Sequence, residues 1–488
     1  MRRESRDHQR DLVPLVERLG ADAGNGRFQS ADRTTLSAAT VPQLRLKWAF
    51  GFPGARAISG QPAVVAGRVF VSADTGHVYA LDTISGCTYW SFHADAAVRS
   101  AVTVDRPAAG RPYAVFFGDA RANVYALDAT TGVPLWKAHV DDHPLARITG
   151  GVRVFDRRVY VPVTSGEEGA GGNPQYECCT ARGSVVALNA ATGSPVWKTY
   201  AIAESPRPTS RNAAGTQLWG PSGAGVWNSP TIDAQRRVLY VGTGNAYSAP
   251  AAPTTDAILA IDIDSGALLW SVQGTANDVW LSACVRNPGP NCGPDQDFGA
   301  PPILRTLPDG RRLLIAGQKS GNVWAFDPDN KGRVVWRSPL VDNTTEFGGK
   351  IVWGGAADDQ RAYFGLGPGG IAAVRLGDGQ RQWFVSAPAA GSPARPGQDG
   401  ALTVIPGAVI SGGWDGVLRV LASSDGRTLW EFNTLRDFDT VNHVAAKGGS
   451  MGAAGPVVAG GLLLVPSGYV GVRNGAPGNV LLVFGVAP

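Results

Sequence analysis

Residues 124–136 read VYALDATTGVPLW, and nearly the same phrase stands at 78–90 as VYALDTISGCTYW. The first half carries apolar residues at the two-residue spacing of a strand. Asp and Gly then close a turn, the carboxylate by bonding the backbone and the Gly by taking positive φ. A second strand follows and ends in Trp. Copies recur at 185–197 (VVALNAATGSPVW) and 258–270 (ILAIDIDSGALLW), with weaker ones at 323–336, 371–383 and 417–430. Self-similarity of this kind marks a repeat architecture. Upstream of most copies lies another strand pair, such as 63–72 (AVVAGRVFVS) and 461–467 (GLLLVPS). Each unit therefore supplies about four strands, one blade of a β-propeller.

The ends complete the count. Residues 44–50 (LRLKWAF) form a lone outer strand with its Trp48 but no hairpin before it. Residues 480–486 (VLLVFGV) form the complementary strand, with no Trp strand after it. Their pairing closes an eighth blade and leaves no open sheet edge. The expected fold is all-β: an eight-bladed propeller of four-stranded antiparallel blades, closed by the N- and C-terminal strands. Residues 22–488 form one domain, and 1–21 are expected to be a disordered tail.

Composition agrees. The 488 residues include 64 Gly and 34 Pro, only 17% are charged, and the net charge is +4. Short strands joined by many turns use residues in this way. No basic cluster tracks a phosphate backbone, so nucleic acid is excluded as a partner. No apolar run spans a membrane. The first twenty residues lack the apolar core of a secretory signal, so either the protein is cytoplasmic or its signal is absent from this chain. Cys284 and Cys292 sit in one Pro/Gly/Asn-rich loop and are placed for a local disulfide, which favours an oxidising compartment. No Cys-x-x-Cys-His occurs, so no covalent c-type haem is attached.

Chemistry is expected where the repeat is interrupted, because blade cores are stereotyped and loops vary. The extra residues fall at 165–182, 205–227, 243–256 and 275–302, on one face of the ring over its channel. Carboxylates and an amide oxygen from separate blades there suit a hard cation such as Ca²⁺. A flat Trp suits a planar ring, and Lys or Arg its carboxylates. Singly, each of these residues has an ordinary reading: a solvated loop Glu, a Gly-Asn turn, a core Trp.

At these residues the chain resembles the PQQ-dependent quinoprotein alcohol dehydrogenases, and within them the polyvinyl alcohol dehydrogenases. The stretches that carry the resemblance are YECCTARG (176–183), DFGAPPIL (297–304), GQKSGN (317–322), TVNHVAAKGG (440–449) and GNVLLVF (478–484). The resemblance implies PQQ and Ca²⁺ as prosthetic groups. It makes Glu168, Asn245 and Asp297 the calcium ligands, and Asp297 also the catalytic base. Trp227 becomes the floor on which PQQ stacks, and Lys319 the catalytic cation beside the quinone oxygens. Arg99, Thr149 and Ser165 become contacts to PQQ carboxylates and carbonyls. Cys178 and Cys179 either cover the cofactor or brace their loop. Asp278 and Asp295 are rivals to Asp297 as base. Ala96 and Ala97 stand where relatives carry a cysteine pair, and Ser59 where they carry a Glu.

The implied reaction is oxidation of a secondary alcohol, polyvinyl alcohol or a related one, to a ketone. Hydride passes to PQQ, Asp297 takes the proton, and electrons leave to an external acceptor such as cytochrome c. Periplasmic or secreted location follows from that chemistry. The alternatives are a non-catalytic propeller that binds protein partners, and a degenerate quinoprotein for which Ser59 is the warning sign.

Overall fold

The computed structural model describes residues 22–287, 292–341, 350–386, 397–471 and 475–486. The expected tail, 1–21, lies outside the described residues. The strands form eight four-stranded antiparallel blades around a channel. The first blade runs Ala63–Val65, Arg68–Ser72, His77–Asp82 and Thr88–His93, and the next six repeat that order. In the eighth, Val480–Val486 lies between Leu462–Ser467 and Leu44–Gly51, in register from Leu44↔Val486 to Gly51↔Val480. The ring is therefore closed by chain ends more than 400 residues apart in sequence.

The repeated phrase is explained by contact between blades. In the first blade Asp82 Oδ1 accepts from the backbone N–H of Ile84 and Ser85, which shapes the turn. Gly86 follows at φ +71°. A Cβ there would stand 2.7 Å from the Trp48 ring of the preceding blade. Gly132 meets Trp90 in the same way, at 2.6 Å, and the pattern continues round the ring. Several of these Trp also donate the indole N–H to a turn carbonyl of the next blade, as Trp48 does to Thr83 and Trp90 to Ala129. Gly and Trp are thus two halves of one joint, which is why they recur together.

Removing residues 480–488 would strip a partner strand from both Leu44–Gly51 and Leu462–Ser467 and expose two apolar sheet edges. The truncated chain is expected to lose its cooperative melt and to aggregate. Circular dichroism melts and size-exclusion chromatography would read this.

An extended N-terminal segment adds a feature outside the repeat. Carbonyls of Ala23, Gly24, Gly26 and Arg27 accept from Ile232, Leu304, Ala357 and Val404, on the innermost strands of blades four to seven or beside them. Asn25 and Arg27 are buried there and fasten the segment through side-chain bonds to Thr231 and Gln61.

Candidate active site

The four insertions interlock on one face. Residues 178–179 pair with Trp219 through backbone bonds. Ser222–Gly223 pairs with Ala246–Ser248, and Ala246 exchanges backbone bonds with Asp278 and Trp280. The insertions therefore build one wall, and the polar residues at its base are held by a rigid neighbourhood.

Below that wall every blade brings the residues just before its innermost strand to the channel. Together they line a cavity that opens to solvent. Ser59, Arg99, Thr149, Trp227 and Trp353 are among the lining residues. Trp227 is fixed from two sides. Its six-membered ring lies directly on Gly299, where any Cβ would collide with it, and Trp353 meets it edge-on at 5.7 Å. The next residue, Asn228, binds Gly242 and Phe298 and ties blades four and five together. Gly299→Ala should therefore displace the indole and cost roughly 1–3 kcal/mol by overpacking, read as a lower urea midpoint.

A charged cluster borders Trp227. Lys319 Nζ stands 2.7 Å from Asp295 Oδ1 and 2.9 Å from Asp297 Oδ2, and 5.5 Å from the Trp227 ring. Asp297 Oδ1 accepts from the Asn245 backbone at 2.9 Å. Both amide protons of Asn245 are used, on Ala246 O and Trp280 O. Its Oδ1 accepts no hydrogen bond among the described residues. Glu168 sits on the one-turn helix Glu167–Ala170 and feels both Lys319 and Asp297. Neighbouring Glu167 is buried and used up: it accepts from the backbone of Thr180 and Ala181 and from the Tyr176 hydroxyl. Ser165 Oγ accepts from the Glu167 N–H.

Negative charge exceeds positive charge here. Burial pushes the Glu168 carboxyl up to about 7, with Lys319 opposing and Asp297 adding. Burial likewise lifts Asp295 to about 6. Asp256, which the sequence reading passed over, is fully buried, and neither of its oxygens has a hydrogen-bond partner among the described residues. Burial, then Asp297 and Asp278, drive its titration far upward. For Lys319 burial opposes the charge, but Asp295 and Asp297 outweigh it and hold the ammonium well above its ordinary range. A cation placed among these carboxylates would offset their mutual repulsion.

The structure thus brings Glu168, Asn245, Asp297 and Lys319 into one neighbourhood beside Trp227, while Arg99 and Thr149 line the cavity. Among the described residues, no three carboxylate, imidazole or thiol side chains converge tightly enough to hold a metal by themselves. Of the rivals to Asp297, Asp278 is occupied by the backbone N–H groups of Asp295 and Gln296. Asp295 shares Lys319 with Asp297. Cys178 and Cys179 are joined as a disulfide, lie outside the cavity lining and are 4% and 0% exposed. The pair packs with Tyr176, Leu218, Tyr247 and Leu281. Cys284 and Cys292 form the expected second disulfide.

Residues 17–337 match the family model for the PQQ glucose/ethanol/alcohol dehydrogenase β-propeller domain. The chain is 42% identical to a polyvinyl alcohol dehydrogenase of a Pseudomonas species, covering 96% of this chain and 76% of that one. It is 39% identical to the polyvinyl alcohol dehydrogenase of Sphingopyxis sp. (strain 113P3), over 95% of this chain and 75% of its relative. In architecture it resembles the quinohemoprotein alcohol dehydrogenase ADH-IIG of Pseudomonas putida. There the TM-score is 0.74 at 19% identity, covering 97% of this chain and 80% of that one.

Proposed function

Because the chain belongs to the β-propeller family of PQQ-dependent glucose, ethanol and alcohol dehydrogenases, we propose that it oxidises a secondary alcohol to a ketone, with polyvinyl alcohol or a related compound as substrate. PQQ and Ca²⁺ are its prosthetic groups, and an external carrier such as cytochrome c takes the electrons. The observation that carries this reading is the meeting of Asp297, Lys319 and Asn245 at the edge of Trp227. Scaffold needs alone do not call for a buried ammonium shared by two carboxylates beside an open cavity.

The residues present fit both groups. Trp227 offers an aromatic floor, and the cavity lining contains Arg27 and Arg99 but no carboxylate, which suits an anionic ring. Glu168, Asp297 and the Asn245 oxygen are hard donors set in excess negative charge, which suits a divalent cation. Bound there, PQQ supplies the two-electron acceptor and Ca²⁺ a Lewis acid. Asp297 receives the substrate hydroxyl proton at its carboxylate. Lys319 supplies fixed positive charge where negative charge develops. The wall of insertions keeps bulk water from the base. Two disulfides on that wall favour the periplasm or the exterior as the site of action. Among the described residues no helix is long and apolar enough to cross a membrane.

The test adds PQQ and Ca²⁺ to purified protein and follows reduction of an artificial dye with polyvinyl alcohol and with simple secondary alcohols. Turnover that needs both additions is the expected result. PQQ binding without oxidation of any alcohol would remove the substrate assignment, and failure to bind PQQ would favour a degenerate quinoprotein.

A further inference from the structure

Asn25 belongs to no blade, yet it is 2% exposed and lines the same cavity as Trp227. Its Nδ2 donates to Thr231 Oγ1 at 2.7 Å and to Pro230 O at 3.2 Å. Its Oδ1 accepts from the Arg153 guanidinium, whose Nε holds Pro230 O at 3.0 Å. The Thr231 hydroxyl in turn donates to the Pro302 carbonyl of the next blade. The backbone on either side of Asn25 repeats the pattern. Gly24 O accepts from Leu304 N at 2.8 Å, and Gly26 O from Ala357 N at 2.8 Å. Residues 229–231 stand just past Trp227 in the chain, Pro302 and Leu304 just past Gly299, and Ala357 just past Trp353. Those three residues touch one another: the Trp227 ring lies on Gly299, and Trp353 meets it edge-on. The segment therefore fastens the strands that carry every part of the platform.

Closing the ring does not require this fastening, since Val480–Val486 already joins Leu44–Gly51 to Leu462–Ser467. What the segment reaches is the inner edge of short strands. Thr231–Asp233 has three residues and Ala356–Ala357 two, and each pairs within its blade on one side only. A strand so brief restrains the residues before it weakly unless its open edge is also engaged. Asn25 suits its place locally, because its φ of +58° lies in the left-handed region that Asn enters more readily than most residues. A binding group loses precision when the residues behind it leave it loose.

We propose that Asn25 is a positioning residue for the cofactor: acting through residues 229–231, it sets the tilt and height of the Trp227 indole on which PQQ stacks. This inference rests on the PQQ reading above. Asn25 holds the platform, and Trp227 makes the contact.

The test is a PQQ titration of the full chain in Ca²⁺, without substrate or dye. Affinity is read by tryptophan quenching, and stacking geometry by the induced circular dichroism of PQQ at saturation. N25G keeps the left-handed backbone, and N25D keeps the oxygen that faces Arg153; both lose the amide donors to residues 229–231. Each should bind PQQ roughly tenfold more weakly, the worth of about one net hydrogen bond, and should change the dichroic band of the saturated complex. T231V should behave as N25D does, T231S should restore wild-type binding, and N25D/T231V should be no worse than either alone. G86A, which crowds the Trp48 joint at the rim, is the stability control: it should melt lower yet keep wild-type affinity and band. Wild-type affinity and band in N25D would overturn the proposal. So would additive losses in N25D/T231V, or weaker binding with an unchanged band that G86A shares, which would reduce Asn25 to general support of the fold. Wild type that binds no PQQ would overturn the cofactor reading itself and the proposal with it.

Discussion

Asp297→Asn should lower turnover roughly a hundred- to ten-thousand-fold, the usual share of a general base, while PQQ binding persists. Asparagine keeps the shape of the side chain, and its oxygen still accepts from the Asn245 N–H that Asp297 engages at 2.9 Å. Lys319 keeps Asp295 as an anionic partner. What is lost is the ability to accept the hydroxyl proton. Dye-linked turnover measured beside PQQ stoichiometry separates that loss from a loss of cofactor. Asp295→Asn is the matching control, since Asp295 shares the same ammonium, and its fall in turnover should be far smaller. If the two variants exchange ranks, Asp295 is the base.

Lys319→Met should be the most destabilising single change at the site. Its ammonium lies between Asp295 and Asp297, and the three side chains are 13%, 12% and 3% exposed. Methionine fills similar volume but leaves two buried carboxylates facing each other, with Glu168 and Asp256 adding to the repulsion. Breaking a buried ion pair from one side costs roughly 3–5 kcal/mol. A urea titration of the cofactor-free protein would read it as a lowered midpoint with unchanged slope. Adding Asp295→Asn to Lys319→Met should recover part of the stability, because one of the uncompensated charges is gone. Equal stability of the single and double variants would show that the carboxylates do not act through Lys319.

The blades were legible in the chain because their determinants are local. The Asp turn, the Gly after it and the Trp at the end of the next strand stand in one short phrase, and the Gly of each copy meets the Trp of the copy before it. Ring closure was also legible, since the strands around Trp48 and Phe484 each lacked what the other supplied. The site was legible in part. Glu168, Asn245, Asp297 and Lys319 stood at the ends of interrupted strands, and the fold gathers them beside Trp227. Asp256 was missed, because an aspartate before a strand reads as an ordinary turn residue.

The chain by itself therefore determined the repeat, the number of blades and the face on which the chemistry is placed, since each follows from contacts between near neighbours or between complementary ends. Only the tertiary structure decided which acids are free. Asp278 and Glu167 are spent on backbone N–H groups, Asp295 and Asp297 share one lysine, and Asp256 is buried without a partner. It also packed the Cys178–Cys179 pair against tyrosines from two insertions. These outcomes depend on desolvation and on loops from different blades meeting, and no local pattern encodes either.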